Sequence, residues 1–153
     1  MIKVNFDGAL FRDIRKAGIG VIVCDSNGQA LASLSEQASF PFSLEIAEAM
    51  AVARALSFVQ GLGFTSFILE GDSANVVNTL KSEEKSLSTY GHILSSAKSM
   101  LMASSCVSFS HVRHSGNNVA YNLAKHAKHV RGSLVWTENA PPHPDYVFLA
   151  DHG

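Results

Sequence analysis

Cysteine is nearly absent, with two residues, Cys24 and Cys106, in a chain of 153. Both sit in apolar, strand-like runs without the close spacing of a metal-thiolate site, so buried free thiols in a reducing interior are expected. Charge is also scarce: 16% of residues are charged, and 12 basic against 13 acidic side chains leave a net charge of −1. That balance excludes whole-molecule attraction to nucleic acid, so any such binding must use a local patch. No apolar run approaches the roughly 18 residues of a membrane span, and the N-terminus lacks a signal-peptide core. No membrane partner is expected, and the reading places the chain inside the cell, in cytoplasm or nucleus.

Apolar material is plentiful, at 46% hydrophobic residues and a mean hydropathy of +0.12. One packed domain is expected over residues 1–131. Residues 132–153 carry Pro141, Pro142 and Pro144 and read as an extended tail. No internal repeat or low-complexity tract is present.

Ile2 to Leu10 alternates apolar and polar residues, the period of a half-buried strand. Residues 11–16 read as a polar turn, and Ala17 to Cys24 as a second strand in which Gly18 and Gly20 allow close backbone approach. Asp25-Ser26-Asn27-Gly28 has hairpin-turn composition, and Gln29 to Ala38 returns as a third strand. Ser43 then reads as the N-cap of a helix over 44–60, buried through Ala47, Met50, Ala51, Ala55, Phe58 and Val59. Phe64 to Glu70 forms a short strand, and the helix-then-strand order predicts a parallel crossover. Helices are predicted over 74–81, 90–102 and 119–130, with a fifth strand over 106–112 and a polar loop over 113–118. Glu83 and Glu84 offset Lys81 and Lys85 in the connector 81–88, so no basic protrusion is expected there.

Three acids fall at telling places in this pattern. Asp7 lies near the end of the first strand, Glu48 beside the buried stripe of the first helix, and Asp72 just past the fourth strand. A carboxylate among apolar residues costs several kcal/mol to desolvate unless a cation or donors compensate it, so three such placements point to a divalent-metal site. Asp72 has a rival role as N-cap of the following helix. Glu70 alternates with Asp72 and reads as structural. His111 reads as structural as well. His126 and His129 could hold a transition metal, but with Lys125 and Lys128 they make a solvated basic face. Together with Arg113 and Arg131, that face is the best candidate for phosphate contact.

The order β-β-β-α-β-α-α-β-α, with an α/β five-stranded mixed sheet and acids at these positions, resembles the ribonuclease H fold. Val-Asn-Phe-Asp-Gly-Ala at 4–9, Ala-Glu-Ala-Met-Ala-Val at 47–52, Glu-Gly-Asp-Ser at 70–73 and His-Val-Arg-His-Ser-Gly-Asn-Asn-Val-Ala at 111–120 are similar to the plant reverse-transcriptase-like ribonuclease H domains. The resemblance covers about residues 2–130.

It implies that Asp7, Glu48 and Asp72 hold Mg²⁺, with Mn²⁺ also suitable, in a two-metal hydrolysis of the RNA strand of an RNA–DNA hybrid. His114 would assist proton transfer. Gly8, Ser73, Arg113, Asn117 and Lys125 would contact substrate, and the protein would act as a monomer. The family's fourth acid, in an Ala-Asp-x-Leu-Ala pattern, is replaced here: Ala120-Tyr121-Asn122-Leu123-Ala124 puts Tyr121 at its position. A phenol, with a pKa near 10, is neutral at physiological pH and a poor Mg²⁺ ligand. The competing expectation is therefore a catalytically degraded module that kept the fold and binds nucleic acid or a partner.

Overall fold

A computed structural model describes residues 1–82, 88–103 and 105–138. The chain opens with three antiparallel strands, β1 (Ile2–Phe11), β2 (Lys16–Cys24) and β3 (Ala30–Ser39). Helix α1 (Leu44–Gly61) crosses over to β4 (Ser66–Gly71), which pairs parallel to β1 as the helix-then-strand order predicts. Helices α2 (Ala74–Lys81) and α3 (Thr89–Ser99) lead to β5 (Cys106–His111), parallel to β4. A 3-10 turn at His114–Asn117 runs into α4 (Asn118–His126), and Ala127–His129 form a further 3-10 turn.

The sheet has six strands in the order β5-β4-β1-β2-β3-β6, against the five expected. The addition is β6 (Ser133–Thr137), antiparallel to β3, so residues 133–137 extend the sheet beyond the expected domain limit at 131. Residues 139–153 of the expected tail, and Glu83, Glu84 and Lys85 of the connector, lie outside the described residues.

Alternation along β1 sends its two side-chain sets to different helices. Val4 and Phe6 join Val21, Val23, Leu34, Val52, Val59, Phe67, Leu69 and Leu94 in the main core beneath α1 and α3. Ala9 and Phe11 pack instead with Ala124 and Ala127 of the α4 region on the opposite face. With both faces covered, Asp7 is buried rather than set at a solvated surface.

Gly18 and Gly20 have the role that their place in a strand suggested. A Cβ at either would collide with α4 backbone, at the Ala124 and Ala120 carbonyls respectively, so glycine lets the helix lie directly on β2. Ser35 Oγ anchors the same helix by donating to the Leu123 carbonyl at 2.7 Å.

Two other expectations need correction. Helix α3 ends at Ser99 and not at 102, leaving Met100 and Met102 exposed; apolar side chains past a helix end imitate its buried stripe. Cys24 is a half-buried free thiol, whereas Cys106, on edge strand β5, is exposed. Among the described residues, no helix is long and apolar enough to cross a membrane.

Candidate active site

The pairing of β1 with β4 ends at Asn5–Glu70, so beyond it β1 is no longer paired to β4. Asp7 sits just past this point. A Cβ at Gly8 would overlap the Ala47 carbonyl and the Glu48 amide, so glycine there allows α1 to touch β1. That contact brings Glu48, on the first turns of α1, to Asp7. Asp72 arrives from the other side, at the β4–α2 junction. Carboxylate oxygens of Asp7, Glu48 and Asp72 all lie within 4.8 Å of one another.

Burial makes this gathering costly for bare carboxylates. Asp7 is 4% exposed and Glu48 6% exposed. Desolvation raises the pKa of Asp7, against the hydrogen bond with Glu48 and the Gly8 amide, which donates to Asp7 Oδ1 at 2.9 Å. Desolvation, then the charge of Asp7, push Glu48 up to about 10. Its Oε2 is buried and accepts no hydrogen bond. Hard anionic oxygens, like-charge crowding and an unpartnered buried lone pair are the features a hard divalent cation would relieve, so the donor set fits Mg²⁺ or Mn²⁺.

Asp72 is not the N-cap of α2. Ser73 is: its hydroxyl accepts from the Val76 amide at 3.4 Å, which leaves the Asp72 carboxylate to face the cluster. Asp72 Oδ2 is 2.9 Å from His114 Nδ1, and His111 Nε2 is 3.2 Å from the Asp72 carbonyl. His114 is 61% exposed at its side chain, at the open side of the site. The Tyr121 ring meets the His114 ring edge-on, with centroids 4.7 Å apart and planes at 76°. Lys125 Nζ lies over the Tyr121 ring, 5.8 Å from its centroid.

Of the remaining expected residues, Asn117 is fully buried and donates to the Phe6 carbonyl at 2.9 Å. Arg113 is exposed at the start of the 3-10 turn. Glu70 is not among the three clustered acids; it accepts from Asn5 Nδ2 at 3.3 Å, with Lys3 Nζ at 3.9 Å. Lys128 of the basic face pairs with Asp13.

Sequence reasoning overlooked Asn5. It alternates with Asp7 on β1 and donates to Asn117 Oδ1 at 3.1 Å, tying the 3-10 turn that carries His114 to the sheet. Its signal was a neutral polar residue two positions before Asp7, on the polar stripe of the alternating strand.

The same architecture recurs in solved structures. Ribonuclease H1 from the archaeon Halobacterium salinarum superposes with a TM-score of 0.74 at 23% identity, over 84% of this chain and 97% of that one. LC11 ribonuclease H1, isolated from compost and solved with an RNA/DNA hybrid, gives 0.72 at 21% identity, over 83% and 96%. The N-terminal ribonuclease H domain of a Mycobacterium tuberculosis protein gives 0.70 at 23% identity, over 82% and 97%. These likenesses establish a ribonuclease H-like fold. No curated protein matches the chain by sequence. The reverse transcriptase-like family matches residues 5–127, and the chain belongs to that family.

Proposed function

We propose that the protein is a divalent-metal-dependent endonuclease that hydrolyses the RNA strand of RNA–DNA hybrids. The observation that carries this reading is the convergence of Asp7, Glu48 and Asp72 within 4.8 Å, with a buried Glu48 oxygen that no protein donor satisfies. Asp7 and Glu48 are held by buried backbone and Asp72 by the β4–α2 junction, so the three would grip Mg²⁺ or Mn²⁺ without rearranging the fold. A bound divalent ion would supply Lewis acidity at a phosphodiester and lower the pKa of water.

The other roles fall to side chains around that cluster. His114, exposed and hydrogen-bonded to Asp72, can pass a proton between the site and solvent. Arg113 and Lys125, both exposed, would meet backbone phosphates, and the half-buried Ser73 would border the substrate, while the buried Gly8 and Asn117 would act from behind by seating α1 on β1 and bracing the His114 turn. The hybrid as substrate is supported by the fold neighbour solved with one.

The test is cleavage of an end-labelled RNA–DNA hybrid with Mg²⁺ or Mn²⁺, comparing the natural sequence with Asp7→Asn. Cutting of the RNA strand by the former alone is the expected result; an intact RNA strand at every ion concentration refutes the proposal. A second reading is favoured by one observation: a neutral ring, Tyr121, stands beside His114 where the resemblance puts an acid. On that reading the protein binds nucleic acid without turnover, and a hybrid bound but uncut would support it.

A further inference from the structure

We propose that Tyr121, with Lys125 beside it, restricts the carboxylate cluster to one divalent ion. The inference rests on the metal-dependent reading above and concerns how many cations that site can take.

Among the described residues, three acids form the cluster and no fourth joins them. The nearest acid in sequence to Asp72 is Glu70, whose oxygens are engaged by Asn5 and Lys3. Asp72 Oδ2 is bonded to His114 Nδ1, the His114 ring meets the Tyr121 ring, and Lys125 Nζ lies over the Tyr121 ring. A neutral phenol is a weak donor for a hard cation, and Tyr121 presents its ring to His114 at 4.7 Å. Lys125 Nζ, 5.8 Å from the ring centroid, sets a positive charge beside Tyr121. When one divalent ion is held, three carboxylates leave a residual charge of about −1, and a second divalent ion would have only that charge to balance it, with no further carboxylate in the cluster among the described residues. Tyr121 thus acts as a residue that sets stoichiometry, and Lys125 sets a positive charge beside it.

Electron paramagnetic resonance of Mn²⁺ titrated into the full chain tests this, with and without an uncleavable 2′-O-methyl RNA–DNA hybrid. One Mn²⁺ per chain and no Mn–Mn dipolar coupling are expected, both with and without the hybrid. Tyr121→Phe should keep that count, because the ring and not the hydroxyl excludes the second ion. Tyr121→Asp should bind a second Mn²⁺ with dipolar coupling, as for ions about 3.5–4 Å apart. Two coupled ions in the natural sequence overturn the inference alone, and this count is decisive even if Tyr121→Asp does not fold. A folded Tyr121→Asp that still binds one ion also overturns it. No bound Mn²⁺ in the natural sequence overturns both the inference and the metal-dependent reading. One bound Mn²⁺ with no hybrid cleavage supports the inference while removing the nuclease reading.

Discussion

Glu48 and Asp7 share a buried contact in which desolvation and then the charge of Asp7 push Glu48 up to about 10, while the hydrogen bond from Glu48 draws Asp7 back against its own desolvation. In the unfolded chain a glutamate titrates near 4.3. The folded, ion-free protein therefore holds a proton that the unfolded chain releases, and its stability falls as pH rises from roughly 4.5 toward the folded value. The steepest slope for one proton is about 1.4 kcal/mol per pH unit. Asp7, also raised, acts in the same direction. Thermal midpoints in EDTA should drop between pH 5 and pH 8, and Glu48→Gln should flatten that drop. Added Mg²⁺ should recover the loss at pH 8 for the natural sequence and not for Glu48→Gln. A flat EDTA profile in the natural sequence would refute this account.

The close seat of α4 on β2 gives a prediction independent of catalysis. A Cβ at Gly20 meets the Ala120 carbonyl and the Ala124 amide, both backbone, which cannot rotate aside. Gly20→Ala should cost about 1–3 kcal/mol in urea unfolding, the usual range for overpacking. Because α4 carries Tyr121 and Lys125, the same change should also shift the 4.7 Å ring contact with His114. Gly28→Ala, on the β2–β3 turn with nothing near its Cβ position, should cost less through its positive φ alone.

Much of this arrangement was legible because its signals were local. Strand alternation placed Asp7, helix periodicity placed Glu48 beside a buried stripe, and the close packing of Gly18 and Gly20 follows from small residues in a strand. What failed to show was set by tertiary contacts. Asp72 and Ser73 are both good caps, and only backbone geometry assigns the cap to Ser73 and frees the acid. Strand β6 has clear alternation, but a five-residue edge strand becomes visible only through its pairing with β3. Met100 and Met102 continue an apolar pattern past the point where the helix ends. The position of Tyr121 could be read from the chain, whereas its contact with His114 depends on how the 3-10 turn folds back.

His114 should matter far more than its neighbour His111. The first is exposed and bonded to the Asp72 carboxylate; the second meets the Asp72 backbone carbonyl. If His114 moves a proton in the reaction, His114→Ala should lower kcat by about 10²-fold or more with KM little changed. His111→Ala should leave kcat within a few-fold. Equal losses in the two variants would assign His114 a packing role instead.

Asn117 joins the sheet to the turn that carries His114, donating to the Phe6 carbonyl while accepting from Asn5. It is 1% exposed, so removing its amide leaves the Phe6 carbonyl without that donor in a place water reaches poorly. Asn117→Ala should destabilise by about 1–3 kcal/mol, the cost of an orphaned buried acceptor. Because Asn5 and Asn117 bond directly, their effects should not add. A double-mutant cycle of Asn5→Ala and Asn117→Ala should give a coupling of about 0.5–1.5 kcal/mol by urea denaturation. Asn5 also donates to Glu70 at 3.3 Å, so Asn5→Ala alone should exceed the coupling term. If the two losses add within error, Asn117 is held by Phe6 alone, and the 3-10 turn keeps His114 in place without the brace from β1.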